Sequence, residues 1–420
     1  MAVPCRGQVS FSSAISLALE NSPRAKAAQN DLRKAQSELA VLKDIYIPSV
    51  VTGGGLGETY GITLSVPTIF TVNAQSLVYS PQQRANIRAA HFDLQAATLA
   101  LAESRTQVEE DAAITYVSLE NSQKVVEALT EQYRFAMKLV SIVQDRVNAN
   151  LDSDLELIKA RRGAIQIKLQ QMQAEDDAEG ARAHLSQLTG ISADQFESLA
   201  ADIPSLPGET STIAPTMPDS PGILAAEANL KAKEQRARGD AEYAWRPQIS
   251  FGAQYGRISP INDVSSFYNL HGNYNTANIG IVIQFPLLDK VRKAAAQISS
   301  LDASRGALDL EGLRFDQGEG RRKLQRSILE LRAKADLADL DLSIAQNELQ
   351  STTVQLHASS GGPPLTPKEE QTAHLQERQR YLDLLDARLQ LRKAQISLLR
   401  QNGHLDDWLR SLTNTPPGTE

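Results

Sequence analysis

The stretch Pro247-Gln248-Ile249-Ser250-Phe251-Gly252-Ala253-Gln254-Tyr255-Gly256 decides how this chain folds. In an extended chain successive side chains point to opposite faces, so Ile249, Phe251, Ala253 and Tyr255 share one side. Gln248, Ser250, Gly252, Gln254 and Gly256 share the other. A return strand follows the Gly- and Asn-rich loop 259–275 and sets Ile279, Ile281, Ile283 and Phe285 on its apolar face. Strands near ten residues long, apolar on one face and small and polar on the other, fit a membrane-spanning β-barrel.

This stretch sits in one of two windows of the same character, 48–83 and 247–288. Together they hold only Glu58, Arg257 and Asp263 as charged residues. At the chain-wide charged fraction of 22%, roughly seventeen would be expected in that length. Tyr46, Tyr60, Phe70, Tyr79, Trp245, Tyr255, Phe267, Tyr268, Tyr274 and Phe285 lie within or beside the windows, as suits residues that settle at membrane–water interfaces.

The chain is also duplicated. Ser22-Pro23-Arg24-Ala25-Lys26-Ala27-Ala28, continuing to Ile47-Pro48-Ser49, aligns with Ser220-Pro221-Gly222-Ile223-Leu224-Ala225-Ala226, continuing to Arg246-Pro247-Gln248, with a one-residue slip. Each half reads as helix, proline, strand pair and long helical pair. The expected organisation is an N-terminal remnant at 1–10, flexible, and a first repeat at 11–203, with strands about 48–80 and helices about 84–190. A Pro-rich linker follows at 204–221. The second repeat spans 222–410, with strands about 247–286 and helices about 289–402, and a flexible tail covers 411–420. Pro48, Pro81, Pro247 and Pro286 mark the helix–strand junctions, because proline blocks helix propagation.

The helical segments carry seven-residue spacing. Leu119, Val126, Tyr133, Val140 and Val147 form one stripe, with Leu129, Ala136 and Val143 as companions. Leu375, Leu382, Leu389 and Ile396 form another, flanked by Leu384, Leu391, Leu398 and Leu405, while Ile328, Ala335, Leu342, Leu349 and Leu356 continue the pattern. A helix apolar on two flanks packs neighbours on both sides, as a cylinder of helices requires. An ordinary antiparallel bundle explains the stripes equally well, but not the strand pairs.

Length and charge narrow the functional classes. The 420 residues carry a net charge of −7, without the basic footprint of a nucleic-acid binder. No run of eighteen apolar residues marks a transmembrane helix. The single cysteine, Cys5, excludes an intrachain disulfide framework, and Ala2-Val3-Pro4 makes a poor lipidation signal, so Cys5 reads as incidental. Met1 to Ser10 lacks the basic and apolar regions of a signal peptide, so an exported protein would take its signal from elsewhere. His91, His184, His271, His357, His374 and His404 are scattered without metal-ligand spacing. The runs Glu109-Glu110-Asp111 and Glu175-Asp176-Asp177 read as hydrated helix faces. Gly53-Gly54-Gly55-Leu56-Gly57 lacks the Lys-Ser/Thr of a phosphate loop and reads as uncrowded strand. No catalytic, cofactor-binding or metal site emerges.

Phe11-Ser12-Ser13-Ala14-Ile15-Ser16-Leu17-Ala18-Leu19-Glu20-Asn21-Ser22-Pro23, Ala160-Arg161 and Leu185-Ser186-Gln187-Leu188-Thr189-Gly190 are familiar together. So are Tyr381-Leu382-Asp383-Leu384-Leu385-Asp386-Ala387 and Leu398-Leu399-Arg400-Gln401-Asn402-Gly403-His404-Leu405-Asp406-Asp407-Trp408-Leu409. Over residues 11–410 the chain resembles the TolC-like outer-membrane efflux channels. The resemblance implies a homotrimer in which each mainly α-helical chain gives four strands to one twelve-stranded barrel in outer-membrane lipid. A long α-helical barrel continues it into the periplasm. It further implies an exit duct for a tripartite efflux or type I secretion system, working with a periplasmic adaptor and an inner-membrane pump, and neither an enzyme nor a binder of nucleotide or nucleic acid. From the residues alone, two, three or four copies of four strands would close equally well; the family decides for three.

The same resemblance places periplasmic tip turns at Asn150 and at Gly361 and Gly362. Asn150 stands at a family glycine position, a mild change because Asn also caps helices in the left-handed region. The second turn, Ser359 to Pro367, is longer than the family's. Asp383 and Asp386 match positions whose carboxylates ring the inner entrance in some members. Their i,i+3 spacing puts both on one helical face, which is equally the pattern of solvated carboxylates with Arg378 and Arg388 near enough to pair with them. The alternative function is a coiled-coil scaffold or adaptor of the cell envelope, which would need no detergent.

Overall fold

The computed structural model describes residues 9–55, 68–193, 196, 219–258, 275–357 and 366–413. Eight helices and four strands are described: α1 (Phe11–Asn21), α2 (Pro23–Asp44), β1 (Ser49–Gly54), β2 (Thr68–Tyr79), α3 (Pro81–Asn148), α4 (Asp154–Thr189), α5 (Pro221–Tyr243), β3 (Gln248–Ile258), β4 (Asn275–Gln284), α6 (Lys290–His357), α7 (Pro367–Gln401) and α8 (Leu405–Thr413). The duplication is visible in element lengths. Helices α2 and α5 have 22 and 23 residues, α3 and α6 have 68 each, and α4 and α7 have 36 and 35. At 1.5 Å per residue, α3 and α6 are each about 100 Å long.

All four strands form one antiparallel sheet in the order β1-β2-β3-β4. The two strand pairs therefore meet through β2 and β3, with Asn73 opposite Gln254 and Gln75 opposite Gly252. The return strand ends at Gln284, one residue before Phe285. β1 and β4 are the edges, and every residue of both is exposed.

Contacts divide the chain into two compact units, each drawing on both sequence halves. One gathers α1, α3 from Ala102, α4, α6 from Asp316, α7 and α8; the other gathers α2 from Ala28, the sheet, α3 up to Leu101, α5 and α6 up to Phe315. The first has an aromatic core. Phe11 meets Tyr116 edge-on at 5.4 Å and Trp408 at 5.9 Å between ring centroids, among Ile15, Leu119, Leu185, Ile396 and Leu405. The Tyr116 hydroxyl donates to the Val9 carbonyl at 3.1 Å, so the buried phenol keeps its hydrogen bond. This core explains the amphipathic pattern of α8, whose Leu405, Trp408 and Leu409 are all buried.

In the second unit α5 lies closely on α3. A Cβ on Gly239 would collide with the Ala85 side chain, so the missing side chain is what allows the approach. Gln82 donates to Asp240 at 2.7 Å and Arg236 pairs with Asp93 across the same contact. Near the strands, Gln83 donates to the Leu42 carbonyl at 2.6 Å, and the Arg292 guanidinium stands 3.8 Å from the centre of the Tyr243 ring.

Candidate functional site

The sheet has two chemically distinct faces, fixed by the register. Ile249, Phe251, Ala253 and Tyr255 of β3 stand opposite Ile283, Ile281, Ile279 and Ala277 of β4. Ile279 is 76% exposed and Ile281 67% exposed within the chain. Leaving such side chains in water forgoes about 1.5–3 kcal/mol each. The other face carries Gln248, Ser250, Gly252, Gln254 and Gly256, paired with Gln284, Val282, Gly280, Asn278 and Thr276. Arg257 is the sole charged residue in the described strands, and it falls on the apolar face at the far end of β3.

The junction prolines take up different positions. Pro81 is the first residue of α3, where its missing N–H is no loss. Pro48 and Pro247 immediately precede β1 and β3, and Pro286 lies two residues past β4.

At the opposite end of α3, Asn150 has φ 60°. The Asn150 N–H donates to the Val147 carbonyl at 2.9 Å and the Leu151 N–H to the Arg146 carbonyl at 2.8 Å, which is the paired bonding of a Schellman cap. Gly361 and Gly362, the expected second turn, lie outside the described residues. The structure adds a charge cluster here that sequence spacing did not reveal. Arg146 donates to both oxygens of Asp152, at 2.9 and 3.2 Å. From the start of α7, Lys368 donates to Asp152 at 3.4 Å and to Glu156 at 3.3 Å. The Arg146 bond, aided by Lys368, holds the Asp152 carboxyl below its ordinary range, and Lys159 and Lys368 do the same for Glu156. Signals existed in Lys368 beside Pro367 and in Asp152 after the Asn150 cap, but nothing local pairs residues so far apart in sequence.

Asp383 and Asp386 are both exposed on α7, on the side away from buried Leu384 and Leu385. Asp383 accepts from Gln379 at 3.1 Å and pairs with Arg380 at 3.5 Å; Asp386 accepts from Gln390 at 3.4 Å. Arg378 and Arg388 go elsewhere. Arg378 pairs with Glu131 of α3 at 2.9 Å, and Arg388 with Asp339 of α6 at 2.8 Å. Helix α7 is fastened to α3 further along by Arg392, 3.2 Å from the buried Glu120, and by His374, stacked on Phe135 with centroids 4.3 Å apart. Burial lowers the His374 pKa, against the pull of Glu370 and Glu377.

The acidic run 109–111 is not a hydrated face. Glu109 is buried, Glu110 is held by Arg400, and Asp111 meets His184 at 3.0 Å. Burial, with help from the Asp406 charge, pushes the Glu109 carboxyl up to about 7, against Arg410 and Arg105. Glu175, Asp176 and Asp177 are exposed, as expected. Among the described residues no cluster of His, Cys, Asp and Glu can hold a metal, and no helix is long and apolar enough to cross a membrane.

Residues 14–191 match the family model of outer membrane efflux proteins. Solved channels share the fold across nearly the whole chain. The Campylobacter jejuni CmeC outer membrane channel aligns at 14% identity with a TM-score of 0.75, over 96% of this chain and 89% of its own. This chain is similar to outer membrane efflux proteins in sequence over residues 14–191, and shares the fold of solved channels over nearly its whole length. The outer membrane protein VceC of Vibrio cholerae aligns at 16% identity and TM-score 0.70, covering 94% of this chain and 96% of that one. The open-state MtrE outer membrane channel of Neisseria gonorrhoeae gives 13% identity and TM-score 0.71, covering 94% and 90%. At these identities the structural likeness speaks for fold. No curated protein matches in sequence. Each half of this chain carries a strand pair, then a helix of 68 residues, then a shorter helix.

Proposed function

We propose that the protein is the outer-membrane exit duct of a tripartite efflux or type I secretion system. It acts as a homotrimer, passively leading substrates from a periplasmic adaptor and an inner-membrane pump across the outer membrane. The observation that carries this reading is the four-stranded sheet with an exposed apolar face and two edges, β1 and β4. Edges are not tolerated in lipid, and four strands are too few to close. Joining β4 of one chain to β1 of the next removes every edge, and three copies of four strands give a twelve-stranded barrel.

The helices support the same closure. Ile158, Ile165 and Met172 on α4, and Leu337 and Ile344 on α6, are exposed at seven-residue spacing. Such stripes are the seams of helix–helix packing, here awaiting a neighbouring copy. In the trimer, Asp383 and Asp386 would be repeated around the axis at the periplasmic entrance and favour cations there. The turn at Asn150 and that containing Gly361 and Gly362 would form the periplasmic tips offered to the adaptor, with Pro48, Pro81, Pro247 and Pro286 at the hand-over from helices to strands.

The test is single-channel conductance in planar bilayers, with the mass of the detergent-purified protein measured alongside. A trimeric mass with discrete conductance steps is expected. A species that stays in solution without detergent and conducts nothing would overturn the reading.

A further inference from the structure

The polar face of the sheet is not uniform. Its register lines up Val51, Asn73, Gln254 and Asn278 as one cross-strand row, and residues directly opposite one another lie on the same face. Three of these four positions carry carboxamides. On one side runs the row Gly53, Thr71, Gly256 and Thr276; on the other runs Ser49, Gln75, Gly252 and Gly280. The amides thus stand between rows that include four glycines and project further from the sheet than most of their neighbours. A Cβ on Gly252 or Gly280 would meet nothing within 4 Å. The chain's own packing does not demand glycine at these two positions, so the composition keeps the space above their row open.

We propose that Asn73, Gln254 and Asn278 form a neutral hydrogen-bonding collar inside the strand barrel, the level at which uncharged polar cargo touches its wall. The proposal rests on the trimeric-duct reading, because the row becomes a ring only when the sheet closes. Its direction follows from the sheet's chemistry: Ile249, Phe251, Ile279, Ile281 and Ile283 occupy the opposite face and turn to lipid. No charged residue of the described strands shares the collar's face. Among the described residues no hydrogen bond engages the side chains of Asn73, Gln254 or Asn278, so they remain available. Each carboxamide offers two N–H donors and an oxygen acceptor. Exchanging water for a hydroxyl or amide of a passing solute is close to balanced in energy, which gives contact without trapping, as conduction requires. A ring without net charge exerts little preference between cations and anions, leaving that choice to other levels of the duct.

The experiment uses the full-length trimer in planar bilayers, with three readouts. The first is the reversal potential in a salt gradient for wild type and for N73D/Q254E/N278D. The charged ring is expected to raise the cation-to-anion permeability ratio by about threefold or more. The second is the dwell time of current interruptions caused by a neutral oligosaccharide, maltohexaose, which is expected to shorten in N73A/Q254A/N278A. The third keeps the proposal decidable if either triple variant fails to assemble. Q254C, in a Cys5→Ser background, is treated with a negatively charged thiosulfonate, and conductance is expected to change, whereas I281C on the lipid face is expected to be unaffected. A conducting wild type with unchanged selectivity and dwell times in assembled variants, or an insensitive Q254C, would overturn the collar alone. A wild type that does not conduct would overturn the duct reading and the collar with it.

Discussion

Lys368, in the first turn of α7, lies 3.4 Å from Asp152 in the turn that joins α3 to α4. Asp152 is already gripped by both donors of Arg146, so one carboxylate ties two chain segments together. The Thr366 N–H donates to Glu369 at 2.6 Å and secures the same turn of α7 from within.

Replacing Asp152 with Asn should loosen the start of α7. Amide exchange in the first turn of α7 is expected to quicken, with little change in the middle of that helix. The Asp152 carboxyl is held below its ordinary pKa. Its contribution is therefore complete above the unfolded value of about 4 and is lost as pH falls through the lower folded value. Exchange measured between pH 7 and pH 5 should show no loosening in the wild type. Equal exchange in wild type and variant would remove this role from Asp152.

Glu109 carries the opposite sign. Its folded pKa is raised to about 7, so the folded state holds a proton that the unfolded chain releases near 4.5. Stability should be highest below that value and decline as pH rises to 7. Glu109→Gln keeps the neutral shape and is expected to stabilise the protein above pH 7 by about 2 kcal/mol, allowing for partial solvent screening. Thermal melting at pH 5 and pH 8.5 checks this. The wild type should lose melting temperature between the two, and the variant should lose less.

Removing both carboxylates from α7, as D383A/D386A, tests the proposed entrance. Conductance is expected to rise, because two side chains are shortened, and cation preference to fall. Arg380 would lose its 3.5 Å partner Asp383 but keep Asp341 at 3.8 Å. Reversal potentials and conductance in the same bilayers decide it; unchanged values would place these carboxylates away from the conducting path.

The strands were legible because two independent patterns coincide in them. Charge disappears from both windows, and side chains alternate between faces at Ile249 to Gly256 and again at Ile279 to Ile283. What alternation could not supply was the pairing of β2 with β3, a contact between sequence halves that no local turn dictates. Glu109 was misread for a related reason. Three acids in succession look hydrated, yet Val108, Ala112, Ala113 and Tyr116 surround it at helical spacing and carry it into the core. The partners of Arg378 and Arg388 depend on how α3 and α6 are set against α7, so spacing along α7 alone pointed to the wrong carboxylates.

Gly239 is a packing requirement that a rescue experiment can isolate. A methyl group there would meet Ala85. Gly239→Ala gains helix propensity of up to about 1 kcal/mol, but overpacking should cost about 1–3 kcal/mol, so a net loss is expected. Adding Ala85→Gly removes the opposing methyl and should recover part of it, less the cost of glycine in α3. A double-mutant cycle in thermal or denaturant unfolding gives the coupling. If the two changes simply add, the contact does not limit the approach of α5 to α3.

Asn150 allows the reverse argument, since its backbone lies in the left-handed region at φ 60°. Glycine reaches this conformation without a Cβ clash, and a β-branched residue reaches it only with strain. Asn150→Gly should therefore preserve or slightly raise stability. Asn150→Val is expected to destabilise the turn by about 1–2 kcal/mol. The strain falls on the Schellman cap, whose Leu151 N–H bonds the Arg146 carbonyl at 2.8 Å. Because the Arg146 side chain also holds Asp152, the valine variant should quicken exchange at the start of α7 as well, through the same Asp152 that meets Lys368. If only the α3–α4 turn loosened, the cap and the charge cluster would be energetically separate.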